Sequence, residues 1–191
     1  MNATIADGTS FWHRIPIVQT LHELEKGPRS FLWYVSFNVV GWQCVLGPAL
    51  VLLARRIDMP PSWVGRLLSF TPLSMILVLF GVRIISRVGS KRLMLVAWLS
   101  RNIIVCGVFF IPWVYENWGP RAAWYVLMGS TLGFCIARAI GAGGWWPWLH
   151  ELVPANQRGL YFSAETMVTN LISVLVFGVQ ALILMNSQTL G

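Results

Sequence analysis

Five apolar blocks divide the chain, at about residues 31–54, 64–85, 93–114, 122–140 and 161–185. Each holds roughly 19 to 25 residues, which as a helix rising 1.5 Å per residue covers about 28 to 37 Å. That length crosses a hydrocarbon core about 30 Å thick, given some tilt. None of the blocks alternates like a barrel strand, and lipid offers no partner to an unpaired backbone. The blocks therefore predict an all-α, polytopic membrane bundle of about five transmembrane helices.

Composition agrees with a lipid environment. Of the 191 residues, 56% are hydrophobic and 11% are charged, and the mean hydropathy is +0.64. Soluble domains carry roughly a quarter charged residues, which excludes an ordinary water-soluble globule. The 13% aromatic content excludes a disordered chain. We therefore expect the lipid bilayer as the main partner and a multi-pass protein of the cell (inner) membrane.

The polar ends of the chain define its predicted organisation. Residues 1–30 mix acidic and basic side chains and lack the apolar core of a signal peptide. They are predicted to be a cytoplasmic tail, either partly ordered or lying on the membrane surface through its apolar positions, Phe11, Trp12, Ile15, Val18 and Leu21. Residues 31–185 are predicted to form the bundle, and residues 186–191 a short C-terminal tail.

Basic residues set the predicted orientation. The net charge is +7, and the charges fall mainly between the apolar blocks, so we read them as topology signals and expect no nucleic-acid partner. A cytoplasmic N-terminus places eight basic residues inside: Arg14, Lys26, Arg29, Arg83, Arg87, Lys91, Arg92 and Arg158. It places four outside: Arg55, Arg56, Arg66 and Arg121. The excess on one side favours an N-terminus in the cytoplasm.

The loop between the second and third blocks carries the most specific motif. It reads Ser86-Arg87-Val88-Gly89-Ser90-Lys91-Arg92-Leu93. Glycine permits a tight reversal, and the cations hold the loop at the lipid headgroups. This stretch resembles the signature loop of the major facilitator superfamily, Asp-Arg-x-Gly-Arg-Arg. Ser86 stands at the acidic position, and Ser90 adds one residue before the basic pair.

Two further stretches resemble the same superfamily. The stretch from Glu151 to Gly159, Glu-Leu-Val-Pro-Ala-Asn-Gln-Arg-Gly, is similar to the connection between its fourth and fifth helices. Arg138, followed by glycines at 141, 143 and 144, is similar to the arginine and glycine pattern of its fourth helix. The resemblance covers residues 31–185 and implies the N-terminal half of a transporter.

That resemblance implies a function and a missing partner. Superfamily transporters consist of two six-helix halves with the substrate between them. This chain supplies five helices of the first half, so we expect a secondary-transporter-like protein that moves an unknown small solute as part of a larger or full-length unit. The other wall would come from a second half-transporter or a membrane complex. The alternative is a non-transporting structural subunit derived from a half-transporter. The resemblance also makes Ser86, Arg87, Gly89, Lys91 and Arg92 gating-loop candidates.

Ionisable and amide side chains inside the apolar blocks are candidate substrate-cavity residues. Arg138 either binds an anionic substrate or extends to the headgroups. Glu165 either couples to protons or is a first-turn or ion-paired carboxylate. Asn38, Gln43 and Asn170 either line a polar cavity or bond between helices. Arg101 is assigned to a structural contact or to the headgroups.

The remaining signals are assigned to packing. The stripe Gly129, Ser130, Gly133 and Ala137 suits close helix approach. The cysteines at 44, 106 and 135 form no CxxC pair and are expected to be buried small side chains, with no disulfide or metal site. No nucleophile, base or metal set can be assembled, so the chain is predicted not to be an enzyme and to need no cofactor.

Overall fold

The described residues of the chain, 24–189 in this computed structural model, are helical and contain no strand, which confirms the all-α prediction. The α-helices are α1 (Lys26–Leu46), α2 (Pro48–Arg56), α3 (Pro61–Ser74), α4 (Val78–Val88), α5 (Ser90–Val105), α6 (Ile111–Leu152) and α7 (Arg158–Thr189). Short 3-10 turns lie at Met75–Leu77, Cys106–Phe110 and Ala155–Gln157. The predicted surface-lying segment between Phe11 and Leu21 falls outside the described residues.

Four helical stretches in the described part are long and apolar enough to cross a membrane: Lys26–Arg56, Pro61–Val88, Ser90–Leu152 and Ala155–Asn186. Their lengths are 31, 28, 63 and 32 residues. The first, second and fifth predicted blocks each fall within one stretch, and the third and fourth share Ser90–Leu152. This pattern supports a membrane protein.

Glycine and proline interrupt the helices where the backbone requires it. Gly89, between α4 and α5, has φ 84°, and Gly119, inside α6, has φ 81° and ψ 175°, which breaks the helix at that point. Both have a positive φ, a backbone conformation that a side chain disfavours and glycine adopts readily. Pro48 begins α2 after an extended Gly47, a break that the continuous apolar run 31–54 does not predict. Proline at the first helical position needs no amide hydrogen there.

The described residues divide into two compact units, one formed by residues 42–151 and the other by residues 24–41 with 152–189. In the first unit, a hydrophobic cluster surrounds the turn between α2 and α3. Its buried side chains are Leu50, Ala54, Ile57, Met59, Leu67, Ile111, Val114, Ala123 and Leu127. The Trp124 indole donates a hydrogen bond to the Ile57 carbonyl at 2.8 Å. The Tyr115 hydroxyl donates to Asp58 Oδ2 at 3.1 Å. These bonds fix the turn against α6.

In the same unit, glycines join α4, α5 and α6. A Cβ built on Gly143 would lie 2.9 Å from the Val82 nitrogen, and one on Gly144 would lie 2.6 Å from the Ser90 carbonyl oxygen. Gly81 of α4 meets the backbone of α6 at Ile140. Helix backbones approach this closely only where no side chain intervenes. The glycine run of α6 is therefore a packing surface for two helices.

The described part of the second unit consists mainly of the first part of α1 and of α7. The Phe31 and Tyr161 rings stack with centroids 6.3 Å apart, and Tyr161 is fully buried. Gln157 donates from Nε2 to Glu25 Oε1 at 3.3 Å, and the Glu25 amide donates to Gln157 Oε1 at 3.4 Å. These contacts hold the start of α7 against α1.

Candidate functional site

The turn between α4 and α5 places the gating-loop candidates at one end of the first unit. α4 ends at Val88, Gly89 reverses the chain, and α5 begins at Ser90. The side chains of Ser86, Arg87, Lys91 and Arg92 are exposed. The Ser86 hydroxyl donates to the Arg83 carbonyl at 3.1 Å, so it bonds within its own helix and reaches no other element through that bond. The turn is therefore a cationic, solvent-facing loop.

Glu151 brings a carboxylate to this turn from the end of α6. The buried Ser90 hydroxyl donates to Glu151 at 3.3 Å to Oε1 and 3.5 Å to Oε2. The carboxylate thus lies at the N-terminus of α5, where the helix dipole favours negative charge. Sequence reasoning noted Glu151 only as part of a connection. Its partner lies 61 positions earlier, and no local pattern reports such a contact.

A cavity of about 530 Å³ opens beside this contact. It is lined by residues 88–92, by Leu95 and Val96 of α5, and by Glu151. Lys91 and Arg92 supply cationic groups, and Glu151 supplies an acidic one. The cavity therefore has both cationic and acidic side chains in its lining, at the end of the first unit where α5 begins and α6 ends.

Arg138 and Gln43 lie deeper in the first unit. The Arg138 guanidinium carbon lies 5.5 Å from the centroid of the Trp42 ring, and Arg138 is half-buried. Gln43, next to Trp42, is 6% exposed. Within the described part of the chain, Arg138 forms no ion pair. A cation over an aromatic face is stabilised by the ring quadrupole, most strongly where water is excluded. Trp42 is a contact that the sequence did not reveal.

Arg101 lies between two aromatic rings, Trp98 of α5 and Phe134 of α6. It is 3% exposed, and its guanidinium carbon lies 4.5 Å from the Trp98 centroid and 5.3 Å from the Phe134 centroid. Trp98 in turn stacks on Trp145 at 5.2 Å. The structure thus supports the structural alternative for Arg101, because its side chain is enclosed by rings and does not extend to the headgroups.

The other three cavity candidates belong to the second unit. Asn38 is half-buried on α1, Glu165 is half-buried on α7, and Asn170 is exposed on α7. Glu165 lies four residues after the buried Tyr161, on the same side of the helix. α7 begins at Arg158, so Glu165 is two turns inside it, and the first-turn explanation for its carboxylate is wrong. Among the described residues, none forms an ion pair with Glu165.

The three cysteines differ in their burial. Cys135 is buried, while Cys44 and Cys106 are exposed, so the expectation of three buried cysteines is wrong for two of them. Both exposed thiols lie on apolar helices, where exposure means contact with lipid or a partner. No group of three His, Cys, Asp or Glu side chains in residues 24–189 is placed to hold a metal ion.

Comparisons of the chain with protein families, with curated proteins and with solved structures found no match.

Proposed function

We propose that this chain is the membrane-embedded N-terminal half of a secondary transporter of the major facilitator type, which moves a small solute together with a second wall. The observation that carries the proposal is the cationic Gly89 turn, tied to the end of α6 by the bond from Ser90 to Glu151. In the superfamily that the loop resembles, an acidic loop residue pairs with a neighbouring helix end. Here Ser86 carries no charge, and Glu151 supplies a carboxylate at the same turn.

In this proposal the chain crosses the membrane five times. The stretch Ser90–Leu152 has 63 residues, and at 1.5 Å per residue it would extend about 95 Å, three times the hydrocarbon thickness. Gly119 breaks it into two lengths of membrane-spanning size. The surplus of basic residues on one side supports a cytoplasmic N-terminus in the inner membrane. The Gly89 turn then faces the cytoplasm.

In this proposal, the hydrogen bond between Ser90 and Glu151 holds the cytoplasmic ends of α5 and α6 together. The bond joins the start of α5 to the end of α6, so separating these ends requires it to break. A surface-end bond of this kind holds little free energy, about 0.5–1.5 kcal/mol. In this proposal Arg138, with Gln43 beside its Trp42 partner, is the group that meets an anionic part of the solute.

A second candidate function is a non-transporting membrane subunit. The aromatic contacts of the two intramembrane arginines favour it, because rings already cover Arg101 on two sides and Arg138 on one. Cations stabilised by packing need no substrate. In this candidate the chain packs against a larger complex.

The test reconstitutes the tagged chain, purified in mild detergent with whatever co-purifies, into liposomes loaded with a mixture of amino acids, sugars and carboxylates. Retained solutes are measured by mass spectrometry. We expect one solute class to leave at least tenfold faster than from protein-free vesicles, and Arg138→Ala to slow that release at least tenfold. Arg121→Ala, an exposed arginine of the same helix, is the matched control and should change nothing.

Two results would decide against transport by this chain. Retention of every solute, with a partner protein co-purifying at fixed stoichiometry, would support the structural subunit. Release that is equal in wild type and Arg138→Ala would assign transport to another component or another cavity.

A further inference from the structure

One face of α7 points away from the rest of its unit. Tyr161, Ala164 and Val168 lie on the side that contacts α1 residues. The opposite side, at alternating spacings of three and four residues, carries Ser163, Met167, Asn170, Val174, Phe177 and Ala181, all exposed. We call these six residues the Asn170 face. This spacing is the seam that one straight helix presents to another.

Of the four membrane-length stretches described, the one that contains α7 has the smallest fraction of buried residues in its most apolar window. None of the residues in its most apolar window is buried, whereas 11% to 22% are buried in the other three. Asn170 lies at the middle of the 32-residue stretch Ala155–Asn186. Across a membrane, its carboxamide is therefore held at the depth where water is scarcest.

The Asn170 amide differs from three of the hydroxyls near it. Ser163, Thr166 and Ser173 each donate to the carbonyl four residues earlier, so their polar groups are satisfied within α7. In residues 24–189, no side chain or backbone group bonds to the Asn170 amide. A polar group in hydrocarbon is costly unless a hydrogen-bond partner is supplied. A hydrogen-bond partner at the same depth would satisfy the amide.

We propose that the Asn170 face is the contact of a parallel homodimer, in which two copies of α7 cross with their Asn170 amides paired. A carboxamide is both donor and acceptor, so two of them related by a twofold axis satisfy each other. All copies enter the membrane in one orientation, and a twofold axis along the membrane normal brings equal depths together. An amide within an apolar seam fixes register and favours a pair of helices. This inference rests on α7 crossing a membrane and does not require transport.

Asn102 of α5 provides the comparison that tests this choice. It is also exposed on a membrane-length helix. Its seam neighbours at the same spacing are Leu95, Leu99, Cys106 and Phe109, all exposed, with Phe109 82% exposed. Seven residues before the amide, α5 has the large Leu95 whereas α7 has the small Ser163, which allows a second backbone to come closer. Asn102 is accordingly the matched control for Asn170.

The experiment uses the full chain in liposomes, with Cys44, Cys106 and Cys135 replaced by alanine and one cysteine introduced. Val174→Cys lies on the Asn170 face, and Leu175→Cys, the next residue, lies off it; the two native side chains are 69% and 59% exposed. After oxidation with copper phenanthroline, denaturing gels measure the covalent dimer. We expect at least fivefold more dimer from Val174→Cys. Adding Asn170→Leu should remove most of it, whereas Asn170→Gln and Asn102→Leu should keep it.

Equal cross-linking at the two cysteines would overturn the homodimer, and so would a Val174→Cys dimer that survives Asn170→Leu. An adduct of a different mass at Val174→Cys would also overturn it, by assigning the face to another protein. The comparison of the two cysteines needs no change at Asn170, so it decides the matter even if Asn170→Leu fails to fold. Solute release plays no part in this readout, so the two proposals fail separately.

Discussion

α6 and α7 are both long apolar helices, yet they pack in opposite ways. The part of α6 around Gly141, Gly143 and Gly144 is buried beneath the backbones of α4 and α5. In the stretch Ala155–Asn186, which contains most of α7, no residue of the most apolar window is buried. Apolar character is shared, so it does not explain the difference. In lipid, apolar side chains gain little by leaving one hydrocarbon surface for another, and close helix contact depends on small residues.

Gly143→Ala should destabilise the protein strongly. The new methyl carbon would lie 2.9 Å from the Val82 nitrogen and 3.0 Å from Gly81 atoms, all backbone, so neither helix can yield by a side-chain rotation. We expect a loss of about 1–3 kcal/mol in the free energy of unfolding. Thermal unfolding in detergent, followed by size-exclusion chromatography, measures it.

Two alanine variants control this prediction. Gly129→Ala on α6 and Gly178→Ala on α7 each place the methyl group where nothing lies within 4 Å. Both should leave stability unchanged or raise it slightly, because alanine favours a helix. If Gly178→Ala destabilised the protein as much as Gly143→Ala, the contrast between the two helices would be wrong.

The next largest effect should come from Gly89→Ala. Here no atom obstructs the methyl group, and the cost arises from φ 84° alone. A residue with a side chain pays about 1–2 kcal/mol in a left-handed conformation. Gly65→Ala, a helical glycine with open space around it, is the control. Equal melting temperatures for the two variants would show that the turn relaxes to another conformation.

A smaller effect is expected from Ser90→Ala, which removes the donor to Glu151. We expect about 0.5–1.5 kcal/mol, since the bond is long and its acceptor is exposed. Glu151→Gln and the double variant complete a cycle. A coupling energy near zero would mean that the two side chains act independently, and that α5 and α6 are held together there by Gly144 alone.

The sequence predicted some of these features because they are local. Gly89 and Gly119 fall in predicted loops, and at both the structure has the positive φ that glycine permits. The close helix approach predicted for the small-residue stripe is confirmed at Gly133, which faces the Ile104 side chain, and is wrong at Gly129, which has nothing within 4 Å. The break at Gly47 was missed because apolar residues continue on both sides of it, and hydropathy does not register a change of helix direction.

The candidate site was less accessible to sequence reasoning. The sequence marked Arg138, but its Trp42 partner comes from a distant helix. It assigned Arg101 to a structural contact or to the headgroups, and the rings of Trp98 and Phe134 decide for the contact. It grouped Asn170 with the candidate cavity residues, and the structure adds that this side chain is exposed on α7. Each of these outcomes depends on which helix faces which.

The sequence alone determined that this chain is helical and suited to lipid, because long apolar runs must satisfy their backbone hydrogen bonds within themselves. It also determined where glycine would turn the chain, since backbone conformation is set residue by residue. Only the tertiary structure decided that the glycines of α6 admit two other helices and that Glu151 meets Ser90. It also decided that Asn170 faces outward. Those facts depend on the approach of segments far apart in the chain, and helix contacts in an apolar medium are specified by shape and hydrogen bonding, which hydropathy does not encode.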